Sequence, residues 1–145
     1  VPGKQTRSAV AVLAVVLLCA GEAAAEQLRA VQVFVALGQR PEEAARIEYL
    51  KANAGSRVDG AGHIEAIIPR TYFDTSVPDA NPVVALIQVG PGRKVVCGLP
   101  RAPSPEDVRT FREGADVAFR GKLVDGHDWG EWQTLYLGDC AVHLR

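Results

Sequence analysis

Two periodicities divide the chain. From residue 26 to 54 apolar positions recur at helical spacing, first as Leu28, Val31 and Val35, then, after Gly38, as Ala44, Ile47 and Leu50. Pro41 followed by two glutamates opens the second segment, and Gly55 closes it, which predicts a helix from about Pro41 to Asn53. Beyond Gly55 the period drops from 3.6 to 2. Val58, Gly60, Gly62, Ile64, Ala66 and Ile68 alternate with Asp59, His63 and Glu65, a half-buried strand that Pro69 ends. Val83 to Val89 and Lys94 to Leu99 are apolar runs separated by Gly90-Pro91-Gly92, the signature of a hairpin. Ser104 is placed to cap a short helix from Pro105 to Arg112, with Val108 and Phe111 on one face and Gly114 as its stop. Alternation returns at Val117 to Leu123 and again from Trp132 to Leu144. In that last strand the apolar phase shifts at Gly138-Asp139, which predicts a β-bulge.

The spacing Val58-x-x-x-Gly62-x-Ile64 is repeated in Val117-x-x-x-Gly121-x-Leu123. A glycine inside a strand costs stability unless the strand bends sharply there, as strands of small barrels do. Three strands, a short helix and two further strands, two of them with a bending glycine, follow the order of the OB-fold. The expected fold is therefore mainly β: a five-stranded OB barrel over residues 55–145, a short helix between its third and fourth strands, and a helical leader over 26–54.

The first 25 residues have a different character. Lys4 and Arg7 precede an apolar run from Ala9 to Ala20, and Ala23-Ala24-Ala25 offers small residues at a cleavage site. This is the layout of a secretory signal peptide, and the run falls short of the roughly 20 residues a membrane span needs. The expectation is an exported chain, periplasmic or secreted, beginning near Glu26. Composition is otherwise that of one ordinary domain, 48% apolar and 23% charged, with 16 Lys and Arg against 17 Asp and Glu. Losing Lys4, Arg7 and Glu22 with the leader takes the net charge from −1 to −2. Removing Cys19 leaves Cys97 and Cys140 as the only cysteines. In an oxidising compartment they are expected to form a disulfide, the alternative being two buried free thiols.

Val95-Val-Cys97-Gly-Leu99, the helix stop at Gly114, Val117-Ala-Phe-Arg-Gly121-Lys-Leu123 and Leu135-Tyr-Leu137-Gly-Asp-Cys140-Ala-Val142 follow one another in an order that resembles the tRNA_anti-like group of exported bacterial OB-fold proteins. With the glycine strand at Val58 to Ile68 the resemblance covers about Gly55 to Leu144. It implies an OB-fold and an exported location, and no catalytic residue.

Enzyme motifs do not emerge from the sequence. Pairing Cys97 with His143 for nucleophilic catalysis needs an exposed thiol of lowered pKa, and alternation sends Cys140 and His143 to opposite faces. Asp125, His127 and Asp128 read as solvated turn residues rather than metal ligands, and Cys97 and Cys140 lack the spacing of a zinc site. No cofactor is expected. OB domains bind through the face of their second and third strands and through the loops joining strands 1 to 2 and 4 to 5. Here the loop from Arg70 to Pro82 carries Arg70, Tyr72 and Phe73, and the loop from Asp125 to Glu131 carries His127 and Trp129, with Trp132 beside it expected in the core. Flat rings near a few polar groups suit stacking on sugars or bases. A net acidic domain with Asp125, Asp128 and Glu131 at this loop disfavours single-stranded nucleic acid. The expected function is noncatalytic binding of an oligosaccharide or a protein partner. A third reading presents the apolar segment Val31 to Leu37 to a partner.

Overall fold

A computed structural model describes residues 27–73, 76–129 and 132–145, and of these the side chains of residues 73, 128, 129 and 132 are not described. In chain order the elements are β1 (Gln27–Arg29), α1 (Ala30–Gly38), α2 (Glu43–Ala52), β2 (Arg57–Pro69), a single 3-10 turn (Arg70–Phe73), β3 (Val83–Gly90), β4 (Arg93–Leu99), α3 (Pro105–Thr110), β5 (Asp116–Trp129) and β6 (Trp132–Leu144). Strand β2 is shared between two halves of the sheet. Its first part pairs antiparallel with β5, from Arg57↔Lys122 to His63↔Asp116, and its second part with β3, from His63↔Gln88 to Pro69↔Val83. β3 pairs with β4, β4 runs parallel to β6, and β6 returns to β5. The circuit β2-β3-β4-β6-β5-β2 closes a five-stranded barrel, with α3 between its third and fourth strands. This is the OB-fold topology.

Gly62 sits where β2 leaves β5 and joins β3, and a Cβ there would strike the backbone carbonyl oxygen of Gln88. Gly121 faces the β6 bulge, where a Cβ would lie 2.5 Å from Cys140 Sγ and 3.0 Å from Leu137 Cβ. Both glycines therefore let strands approach closely. The bulge falls at the expected place: Arg120 pairs with Ala141 and Lys122 with Gly138, leaving Asp139 at φ 50°. Ser104 caps α3 as expected, its Oγ accepting from Asp107 N–H at 3.1 Å while Asp107 Oδ2 accepts from Ser104 N–H at 3.1 Å.

Four expectations are corrected. Residues 27–29 form a short strand parallel to β2 rather than the start of a helix, because Leu28 pairs with Val58 at a free edge of β2. The buried stripe of α1 is Ala30, Val33, Phe34 and Leu37, leaving Val31 (54% exposed) and Val35 (44%) outside; in α2 only Leu50 is buried, while Ala44 and Ile47 face solvent. Val108 of α3 is likewise exposed. The segment 125–129, expected as loop, continues β5 along β6 as far as Trp129↔Trp132, since Val124 bulges out and restores the pairing phase. Val33, Phe34, Leu37 and Leu50 join Val58, Ile87, Cys97, Phe119 and Leu135 in one core, so the leader helices fill the barrel end. α3 buries no residue.

Candidate binding site

Alternation sends Val84 on β3, Val96 on β4 and Tyr136 on β6 to the outer face that OB domains use for ligands. In this chain the segment after the 3-10 turn folds back over part of that face. Val77 packs into the Val84–Val96–Tyr136 patch and Pro78 lies against Gly138. Asn81 is fully buried: its Nδ2 donates to Asp139 Oδ1 at 2.9 Å, and its Oδ1 accepts from Asp139 N–H at 2.9 Å. Gly98 leaves the space for this amide, since a Cβ there would lie 2.5 Å from Asn81 Oδ1.

The residues expected to meet a ligand are placed unevenly. Arg70 holds its own loop: Nε donates to the Val77 carbonyl at 3.0 Å, and a guanidinium nitrogen lies 2.5 Å from Asp79 Oδ1. Tyr72 is 74% exposed. His127 lies on the outer side of the β5–β6 hairpin, its ring edge-on to Tyr136 at 5.2 Å and Nε2 3.6 Å from Asp125 Oδ2. Burial and the Asp125 carboxylate push the Tyr136 phenol above its usual range. Arg70 and His127 thus approach one patch from two sides, through Val77 and Tyr136. The side chains of Phe73 and Trp129, and of Asp128 and Trp132, lie outside the described residues.

The disulfide expected between Cys97 and Cys140 is not formed. Both are buried free thiols, and their side chains are hydrogen-bonded to each other. Burial first, then the Cys140 neighbour, pushes the Cys97 thiol well above its ordinary value, the reverse of what a nucleophile requires. His143 is on the exposed side of β6, away from the inward Cys140.

One cleft was not singled out by the sequence. It holds about 600 Å³ and is bounded by the start of α1, by β2 at Asp59–Ala61, by the β3–β4 turn and by β5 and β6. Val31 and Val89 give it an open apolar surface, with Phe34 and Phe119 buried beneath. Arg29, Arg93, Arg120 and His143 border it, with Asp59 as its one carboxylate. Arg93 is half-buried, its guanidinium carbon 5.5 Å from the centre of the Phe34 ring. Register brings the rim together: Asp59 pairs with Arg120, Ala61 with Ala118, and Ala118 with His143. Among the described residues none of the three arginines is within 4 Å of a carboxylate. Gln32 caps the first turn of α1 by accepting from Arg29 N–H at 3.0 Å, so the positive end of that helix also borders the cleft. A second cleft of about 430 Å³ lies between α2 and the hairpin, with Glu43, Arg46, Asp125 and His127 in its wall.

No protein-family model and no curated protein matches the chain. Among solved structures, an asparaginyl-tRNA synthetase of Entamoeba histolytica in complex with asparaginyl-adenylate is similar at 11% identity and a TM-score of 0.39, over 63% of this chain. The match spans 21% of that enzyme's length. The OB-fold assignment rests on the strand pairing described above.

Proposed function

We propose that the chain is an exported, noncatalytic OB-fold binding module whose ligand carries negative charge and is held in the arginine-bordered cleft. One observation carries this reading: three guanidiniums from separate parts of the chain meet on one largely apolar cleft, and among the described residues none has a carboxylate within 4 Å, Asp59 beside Arg120 included. Arg29 and Arg120 are exposed to solvent whereas Arg93 is half-buried, so Arg93 is the guanidinium that gains most when a ligand brings a counter-charge. The folded-back segment Val77 to Asn81 supports the same reading, because it takes up surface on the usual OB face. A neutral oligosaccharide gains little from such a rim, so an acidic sugar or an acidic stretch of a protein partner fits better than the neutral form. Export, and membership of the exported tRNA_anti-like group, are part of the proposal and draw on the leader and on the cysteine and glycine strands.

Single-stranded nucleic acid is a second reading, favoured by the same three arginines. Against it stand Asp59 inside the rim and the net acidic charge, since a polyanion groove depends on many cations displacing counterions. Titration of the purified protein with dodecanoate, a hexaglutamate peptide and an eight-residue oligothymidylate tests the proposal. At least one probe is expected to bind, with affinity falling at least tenfold in an Arg93→Gln/Arg120→Gln double variant. Equal affinity in both proteins overturns the cleft as the site, and a preference for the oligothymidylate establishes the second reading.

A further inference from the structure

The composition of the cleft wall narrows the ligand further, and this step rests on the cleft being the binding site. Its lining is mainly apolar, and the part of it open to a ligand comes from Val31, Ala61, Val89, Ala118 and Ala141, with Phe34 and Phe119 buried beneath; Arg29, Asp59, Arg93, Arg120 and His143 share the same lining. A polyanion would set charge after charge along the cleft and would leave this wall facing ionic groups. The wall is also closely packed behind Gly60, where a Cβ would lie 2.7 Å from the Phe119 ring and 3.0 Å from Ala30 Cβ. Arg93 links the apolar and charged parts of this lining, because its guanidinium lies over the Phe34 ring while its positive charge has no carboxylate within 4 Å among the described residues. An aromatic face supports a cation only partly and leaves its outer N–H groups to an anion. A volume of about 600 Å³ is in the range of sites for small organic ligands.

We infer that the cleft binds a small amphipathic acid, one acidic head group on an apolar body, with the head at Arg93 and Arg120 and the body against Val31, Val89 and Ala118. Asp59 works in the same direction, since it limits the excess positive charge to what a head of one or two negative charges satisfies. The shared chemistry is the acidic head, carboxylate or phosphate.

Calorimetric titration of the purified protein below micelle-forming concentrations tests this, using dodecanoate, dodecyl phosphate, octanoate, acetate and dodecyltrimethylammonium. Dodecanoate or dodecyl phosphate is expected to bind, the tighter of the two identifying the head group. Affinity should fall roughly fourfold per methylene removed, as burial of the tail requires, and acetate and the cationic amphiphile should not bind. Arg93→Gln should weaken binding at least tenfold. Val31→Ser, at a half-exposed position that folding does not depend on, should weaken the long-chain probes and leave the fold intact by circular dichroism. Equal binding of the anionic and cationic amphiphiles overturns the inference. So does hexaglutamate or oligothymidylate binding through Arg93 and Arg120 while the alkyl acids do not, an outcome that leaves the cleft in place as a binding site. Absence of binding by every anionic probe overturns both the inference and the reading beneath it.

Discussion

At the scale of single residues, Gly121 and Cys140 share one space. An alanine at 121 would place its Cβ 2.5 Å from the Cys140 sulfur. Gly121→Ala should therefore cost about 1–3 kcal/mol in urea unfolding, the usual range for overpacking. Adding Cys140→Ala should recover part of that loss, so the two changes are expected to couple favourably in a double-mutant cycle. Additive effects would show that the sulfur is not the obstacle. The same sulfur neighbours Cys97, whose thiol burial holds above its ordinary value near 9.0. Because the folded chain keeps this proton when the unfolded chain releases it, the contribution is complete below about pH 9 and is lost as pH climbs toward the raised value. The loss amounts to about 1.4 kcal/mol per pH unit for one such group, and Cys97→Ala should remove it from the alkaline limb of the stability profile. Thiol titration should find both cysteines unreactive in the native protein and two free thiols after denaturation. A denatured protein without free thiols would mean that the pair is oxidised.

At the scale of elements, the segment 76–82 is held by polar contacts as much as by packing. Asn81 joins it to the β6 bulge through two hydrogen bonds with Asp139, and Arg70 ties its start to Val77 and Asp79. Removing the amide leaves the Asp139 N–H and a carboxylate oxygen without their partner, which typically costs about 1–3 kcal/mol. Asn81→Ala should lose about that much and should raise hydrogen exchange and protease cleavage within 76–82 before the barrel strands. Arg70→Gln should loosen the same segment to a smaller degree, since Asp79 is exposed and an exposed ion pair contributes little. If Asn81→Ala instead unfolds the whole chain in one step with no local opening, the segment is part of the barrel core rather than a cover laid upon it.

At the scale of the whole molecule, the leader helices and the barrel share one core, because Val33, Phe34 and Leu37 of α1 and Leu50 of α2 pack with inward residues of all five barrel strands. Truncation that removes 26–54 should therefore expose the barrel end and abolish cooperative unfolding. Export, as proposed, predicts that protein recovered outside the cytoplasm begins near Glu26. Its intact mass should be lower by about 2.5 kDa, at roughly 0.1 kDa per residue. An exported form that retains Lys4 and Arg7 would refute the cleavage.

The order of elements was legible in the sequence because its signals are local: alternation for strands, Ser104 and Gly114 at the ends of a helix, Gly62 and Gly121 at bends, and a phase shift at Gly138-Asp139. Each acts over a few residues and needs no partner to be recognised. The expected site was legible only as a pair of aromatic loops. Residues 125–129 of its second loop turned out to extend a hairpin, since Val124 bulges and lets the pairing continue. Which side of α1 is buried also depended on the barrel: Val31 and Val35 have the same spacing and polarity as a buried pair, but the open barrel end lies against Val33 and Phe34. The arginine cleft depended most on tertiary structure. Arg29, Arg93, Arg120 and His143 are scattered over more than a hundred residues, and each alone reads as an ordinary solvated side chain. Only closure of the sheet in the register Asp59↔Arg120 and Ala118↔His143, with α1 laid beside it, brings their charges to one place. Local rules set the pieces of this protein, while the meeting of distant charges is a property of how the barrel closes.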